Sequence, residues 1–143
     1  MAGLYRKRRI VTNTVFLAKV CDKVEPRERT RISTKLMMFL RPRVDSALAI
    51  AANQIGIQKR AFIVNEGKCF RYYINPELIE TIGEPVEHEE GCLSIPGELH
   101  TPMRYPEIKV TDEINGEQTL TGLMAAIWQH EVDHLNGILI NGG

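Results

Sequence analysis

The sequence predicts an α+β fold, with largely antiparallel sheets packed around a C-terminal helix that carries an HExxH pattern. Three observations predict it. Residues 121–135 place Leu123, Ile127, Trp128 and Leu135 at helical spacing. The middle of the chain, about 61–111, is a series of short β-rich runs punctuated by Pro and Gly. Asn115-Gly116, between Val110 and Leu120, is a hairpin turn signal.

Taken in order, the chain opens on a basic run, Arg6, Lys7, Arg8 and Arg9, with no acid before Asp22. Residues 1–9 are expected to form a solvated basic arm; a cleavable presequence or a contact with ribosomal RNA are the alternatives. An export signal is not expected, because Thr12, Asn13, Thr14 and Lys19 interrupt the apolar stretch that follows. Residues 30–40, with Ile32, Leu36, Met37 and Leu40 on one face, predict an amphipathic helix stopped by Pro42. Ala61-Phe62-Ile63-Val64 and Ile108-Lys109-Val110-Thr111 predict strands. The last helix runs to Leu135, with Gly137 as its stop.

At 143 residues the chain is read as one domain, 1–143. Lys plus Arg and Asp plus Glu number 18 each, so bulk charge offers nothing to a polyanion and DNA is not an expected partner. Apolar residues at 43% and charged residues at 25% exclude a disordered or fibrous chain. No window approaches the roughly 18 apolar residues that a membrane-spanning helix needs. Three scattered cysteines, Cys21, Cys69 and Cys92, make no disulfide framework and suit a reducing compartment, so a cytoplasmic location is expected.

The chemistry begins at His130-Glu131-Val132-Asp133-His134. Positions i and i+4 of a helix lie one above the other, so both imidazoles can reach one cation, with Glu131 beside them. A catalytic metal needs a third protein ligand and an open position. Metzincins carry that ligand as a histidine further along; Gly137 fits their intervening glycine, but Ile140 stands where the ligand belongs. Thermolysin-like enzymes draw a Glu from a later helix, for which the residues after His134 are too few. The ligand is therefore sought upstream, among Cys21, Cys69, Cys92, His88, His100 and the acids. Cys92 is preferred, because Gly91 before it lets backbone come close to an ion. Cys21 and Cys69 read as ordinary thiols, His88 and His100 as solvated polar residues.

With these residues assembled, the chain resembles the peptide deformylase family. The match rests on Ala47-Leu48-Ala49-Ile50-Ala51-Ala52-Asn53-Gln54 with Ile55-Gly56, on Glu90-Gly91-Cys92-Leu93-Ser94, and on Gln129-His130-Glu131-Val132-Asp133-His134-Leu135-Asn136-Gly137. The resemblance implies a hydrolase that removes the N-formyl group from formyl-methionyl nascent peptides and releases formate. It implies one divalent metal, natively iron(II) with zinc, nickel or cobalt as substitutes, on Cys92, His130 and His134. Glu131 would be the general base and acid, with Gln54 and the Leu93 backbone N–H as donors to the developing oxyanion. Leu48, Ala49, Gly91, Leu123 and Ile127 would line the substrate site. Glu90 and Arg104 would form a supporting pair, and Asp133 stays outside the site.

Ribosome association is a further expectation, and no membrane partner is expected. The alternatives are an HExxH metallopeptidase and an inactive relative that binds metal or formyl peptide. The family's usual early segment, with its proline and arginine, has no evident counterpart before residue 30, and two further departures accompany the match. Alanines 47 and 49 stand where the family usually has glycine, so the cleft is expected to be narrower. With Gly143 as the last residue of the sequence, a short form without the C-terminal helix of common bacterial members is expected.

Overall fold

A computed structural model describes residues 10–141; the basic arm expected over 1–9 lies outside them. A three-stranded antiparallel sheet forms the centre, in the order β1 (Ala49–Ala51), β2 (Ala61–Asn65), β3 (Phe70–Ile74). β2 is buried along Ala61 to Val64, because both faces of this sheet are covered by helices. Alternate residues therefore meet different partners. Ala61 and Ile63 pack with Ile32, Leu36, Phe39 and Leu40 of α2 (Arg29–Leu40). Phe62 and Val64 pack with Ala125, Trp128, Val132 and Leu135 of α3 (Gly122–Leu135). Phe62 stacks on Tyr73 with ring centroids 4.7 Å apart and meets Trp128 edge-on at 6.3 Å. A strand covered on both faces reads as an unbroken apolar run, which is how Ala61-Phe62-Ile63-Val64 reads.

Both predicted helices form within a residue of their expected starts, and Pro42 falls in the tight turn that ends α2. Gly137, with φ +76°, follows the end of α3. A short helix, α1 (Thr14–Leu17), precedes them, capped by the Asn13 side chain. No helix among the described residues is long and apolar enough to cross a membrane.

A second antiparallel sheet runs β10 (Gln118–Thr121), β9 (Glu107–Thr111), β4 (Glu77–Ile82). The hairpin signalled by Asn115-Gly116 is β9 to β10, but its connection is longer than a two-residue turn. Asp112 organises it: the carboxylate accepts the backbone N–H groups of Ile114 and Asn115, and Ile74 N–H of the central sheet as well. Two small pairs complete the architecture, β5 (Val86–Glu87) with β8 (Met103–Arg104), and β6 (Glu90–Cys92) with β7 (Ile95–His100).

Candidate metal centre

The site lies where residues of β1, the β6–β7 pair and α3 line one cleft. The helical period places His130 and His134 on one side of α3, their ring centroids 5.0 Å apart. Cys92 comes from the end of β6, where the pairing with β7 shifts register between Gly91 and Cys92. A shift of this kind re-aims a side chain. Cys92 Sγ lies 3.3 Å from His134 Nε2, and ligand atoms of Cys92, His130 and His134 all fall within 4.8 Å of one another. One sulfur and two imidazoles suit iron(II), zinc, cobalt or nickel. Beside them Glu131 is 3% exposed, and its Oε1 has no hydrogen-bond partner among the described residues. This donor set fits a divalent cation.

Glu90 fixes the chemistry of His130. An ionised carboxylate only accepts, so His130 Nδ1–H donates to Glu90 Oε1 at 2.8 Å and Nε2 is left for an ion. Arg104 grips the same carboxylate through Nε at 2.8 Å and Nη2 at 2.7 Å, and reaches Asp133 through Nη1 at 2.6 Å. Burial pushes the Glu90 carboxyl up, but the bonds from Arg104 and His130 outweigh it and hold the pKa at about 2. Burial likewise lowers His130, whereas its bonds to Cys92 and Glu90 and the Glu131 charge raise it to about 10. The same negative groups would meet a cation. His134 is pushed down to about 3 by burial and by the charges of His130 and Arg104, which keeps it neutral, the form a ligand requires. Burial raises Glu131 to about 7.

Gln54 sits in the turn after β1. Its Oε1 accepts the Ala51 N–H at 3.0 Å, and Nε2 donates to Ser94 Oγ at 3.1 Å and to Cys92 Sγ at 3.4 Å. The amide donor is thereby aimed at the sulfur. Leu48, Ala49, Gly91, Leu93, Leu123 and Ile127 all line one cleft of about 710 Å³, together with Gln54, Cys92, His130 and Glu131. Leu48 and Leu123 are half exposed on its wall, at 49% and 56%, so neither is a core residue.

Each predicted site residue therefore borders this cleft or the ligand cluster. Cys21 is buried and Cys69 exposed, both outside the ligand cluster. Three residues that sequence reasoning set aside or passed over also take part. Asp133 is the second carboxylate on Arg104. Asn53 donates from Nδ2 to the His134 carbonyl at 2.8 Å. His88, read as solvated, places Nδ1 3.0 Å from Glu90 Oε2. Asn53 adjoins Gln54 in a motif, which was a signal; nothing local marks His88.

A family model described as polypeptide deformylase matches residues 8–141. The peptide deformylase of Clostridium botulinum (strain Alaska E43) is 39% identical over 128 residues, covering 86% of each chain. That of Carboxydothermus hydrogenoformans is 43% identical over 99 residues, which are 66% of this chain and 64% of that protein. Among solved structures, Thermotoga maritima peptide deformylase aligns with a TM-score of 0.83 at 32% identity, covering 95% of this chain and 96% of that one. A Met-Ala-Ser-bound class I type b peptide deformylase from Acinetobacter baumannii aligns with a TM-score of 0.83 at 29% identity, covering 94% and 96%.

Proposed function

Because this chain belongs to the polypeptide deformylase family, we infer that it is a hydrolase that removes the N-formyl group from nascent peptides, a metal-dependent reaction, with Cys92, His130 and His134 as the ligands. The observation that carries this reading is the meeting of those three ligand atoms within 4.8 Å, at a cleft that also holds Glu131 and Gln54.

A divalent cation bound there supplies Lewis-acid chemistry, acidifying water and polarising the formyl carbonyl. Glu131, on the same helix, takes the proton from the attacking water and later delivers it to the departing amine. Water adds to the formyl carbon, the C–N bond breaks, and formate leaves with the free amino terminus. Gln54 Nε2 and the Leu93 N–H donate to the oxyanion; one such donor is worth about 3 kcal/mol of barrier. Leu48, Leu123 and Ile127 take the methionine side chain by burial, at about 0.8 kcal/mol per CH₂. Ala49 and Gly91 border the peptide backbone. Glu90 holds His130 in the tautomer that binds, and Arg104 holds Glu90.

Iron(II) is the native ion in this reading, with zinc, nickel or cobalt able to replace it, and the substrates are formyl-methionyl nascent peptides met in the cytoplasm. Ribosome association is assigned to no described surface. The test is formate release from formyl-Met-Ala-Ser by protein loaded anaerobically with iron(II), or with nickel or cobalt. Turnover supports the reading. Cleavage of unformylated peptides instead would make the protein a metallopeptidase, and formyl-peptide binding without turnover would make it a binder.

A further inference from the structure

Glu90 receives more hydrogen bonds than holding one ligand requires. Oε1 accepts from Arg104 Nη2 and His130 Nδ1; Oε2 accepts from Arg104 Nε and, at 3.0 Å, His88 Nδ1. Two imidazoles thus flank the guanidinium fork, one on each oxygen. The Glu90 side chain is 7% exposed and that of His88 is 36% exposed. His88 stands between β5 and β6, its backbone N–H bonded to the Pro102 carbonyl at 3.0 Å, and it borders the same cleft as Cys92 and Glu131.

The terminal torsion of a glutamate has a broad energy profile, so a carboxylate turns easily unless both oxygens are held. Arg104 is shared with Asp133 and is pulled toward it through Nη1. His88 donates to Oε2 from the cleft side and completes the restraint. We propose that His88 is a positioning residue for the cation site: it holds the Glu90 carboxylate and, through it, the tautomer and bearing of His130. The proposal rests on the reading of Cys92, His130 and His134 as ligands. Because His88 lines the cleft, it also places the support of one ligand within reach of whatever occupies the cleft.

The test compares H88L, which removes the donor, with H88N, whose amide N–H replaces Nδ1–H. Cobalt(II) affinity is measured by competition with a chromophoric chelator, alongside the melting temperature of metal-free protein and the His130 Nδ1–H resonance in its NMR spectrum. Expected are a cobalt dissociation constant about 10-fold higher in H88L, the low end for outer-shell partners of a ligand, and a broadened or shifted His130 resonance. H88N keeps both close to wild type. A merely structural role for His88 would move the melting temperature and leave the resonance in place. The proposal is overturned if H88L binds cobalt like wild type with the His130 resonance unchanged, or if H88N is as impaired as H88L. If wild-type protein takes up no cobalt, the ligand assignment itself fails and the proposal goes with it. Should H88L not fold, H88Q supplies the contrast, since its donor sits one bond too far out for Oε2.

Discussion

The Asn53 side-chain amide donates to the main-chain carbonyl of His134 at 2.8 Å, joining residues 81 apart in sequence. The bond ties the turn carrying Gln54 to the helix carrying the imidazoles. Asn53 is fully buried, so its replacement cannot be rescued by water without opening the site. N53L is expected to lose about 1–3 kcal/mol of stability in urea titration. It should also lower turnover by shifting Gln54. Unchanged turnover would show that the Gln54 side chain is held by Ala51, Ser94 and Cys92 without help from Asn53.

Glu131 is predicted to act on protons rather than on the cation. E131Q should reduce formate release about 10²–10⁴-fold, the usual worth of a positioned acid and base. Cobalt content of the variant should match wild type. A variant that lost metal along with activity would instead place Glu131 among the ligands.

Cys92 should show itself spectroscopically. Cobalt-loaded protein is expected to carry a sulfur-to-cobalt charge-transfer band that C92S lacks, and chelation should abolish activity until iron(II), nickel or cobalt is returned. Persistence of the band in C92S would move the thiolate ligand to another cysteine.

The Glu90–Arg104 pair predicts an acid limb in stability. The folded pKa of Glu90 is about 2 against the ordinary 4.5. A depressed pKa means that its stabilisation is present above about 4.5 and drains away as pH falls toward 2. In E90Q that part of the pH dependence of metal-free protein should flatten. At pH 7 the variant should be less stable by about 3 kcal/mol, because buried Arg104 loses a partner. A wild-type curve with no slope between pH 4.5 and 2 would count against the pair.

Gly137 should tolerate no side chain. Its φ is +76°, and a Cβ built there would run into the Ala18 carbonyl oxygen, which is backbone and cannot swing aside. G137A is expected to cost more than about 1 kcal/mol in thermal or urea unfolding, well above the usual gain from Gly-to-Ala exchange. Equal stability would mean that the α1 end moves freely.

What the sequence determined by itself was whatever follows from short-range period. The His130 and His134 pair, the buried run of β2, α2 with its apolar face, and the stop at Gly137 each depend on residues a few positions apart. The motifs around Gln54 and Cys92 were legible as family blocks, and the cysteine was preferred over two others by its neighbouring glycine. Distance in sequence hid the rest. No local pattern says that Cys92 Sγ comes within 3.3 Å of His134 Nε2, that β4 pairs with β9 across a long connection, or that His88 donates to the carboxylate holding His130. Asp133, left outside the expected site, joins it because Arg104 bonds both its carboxylate and that of Glu90. Such contacts depend on how tertiary folding brings β6 and β8 beside α3, and a buried carboxylate or imidazole acquires its charge state only from the partners that folding supplies.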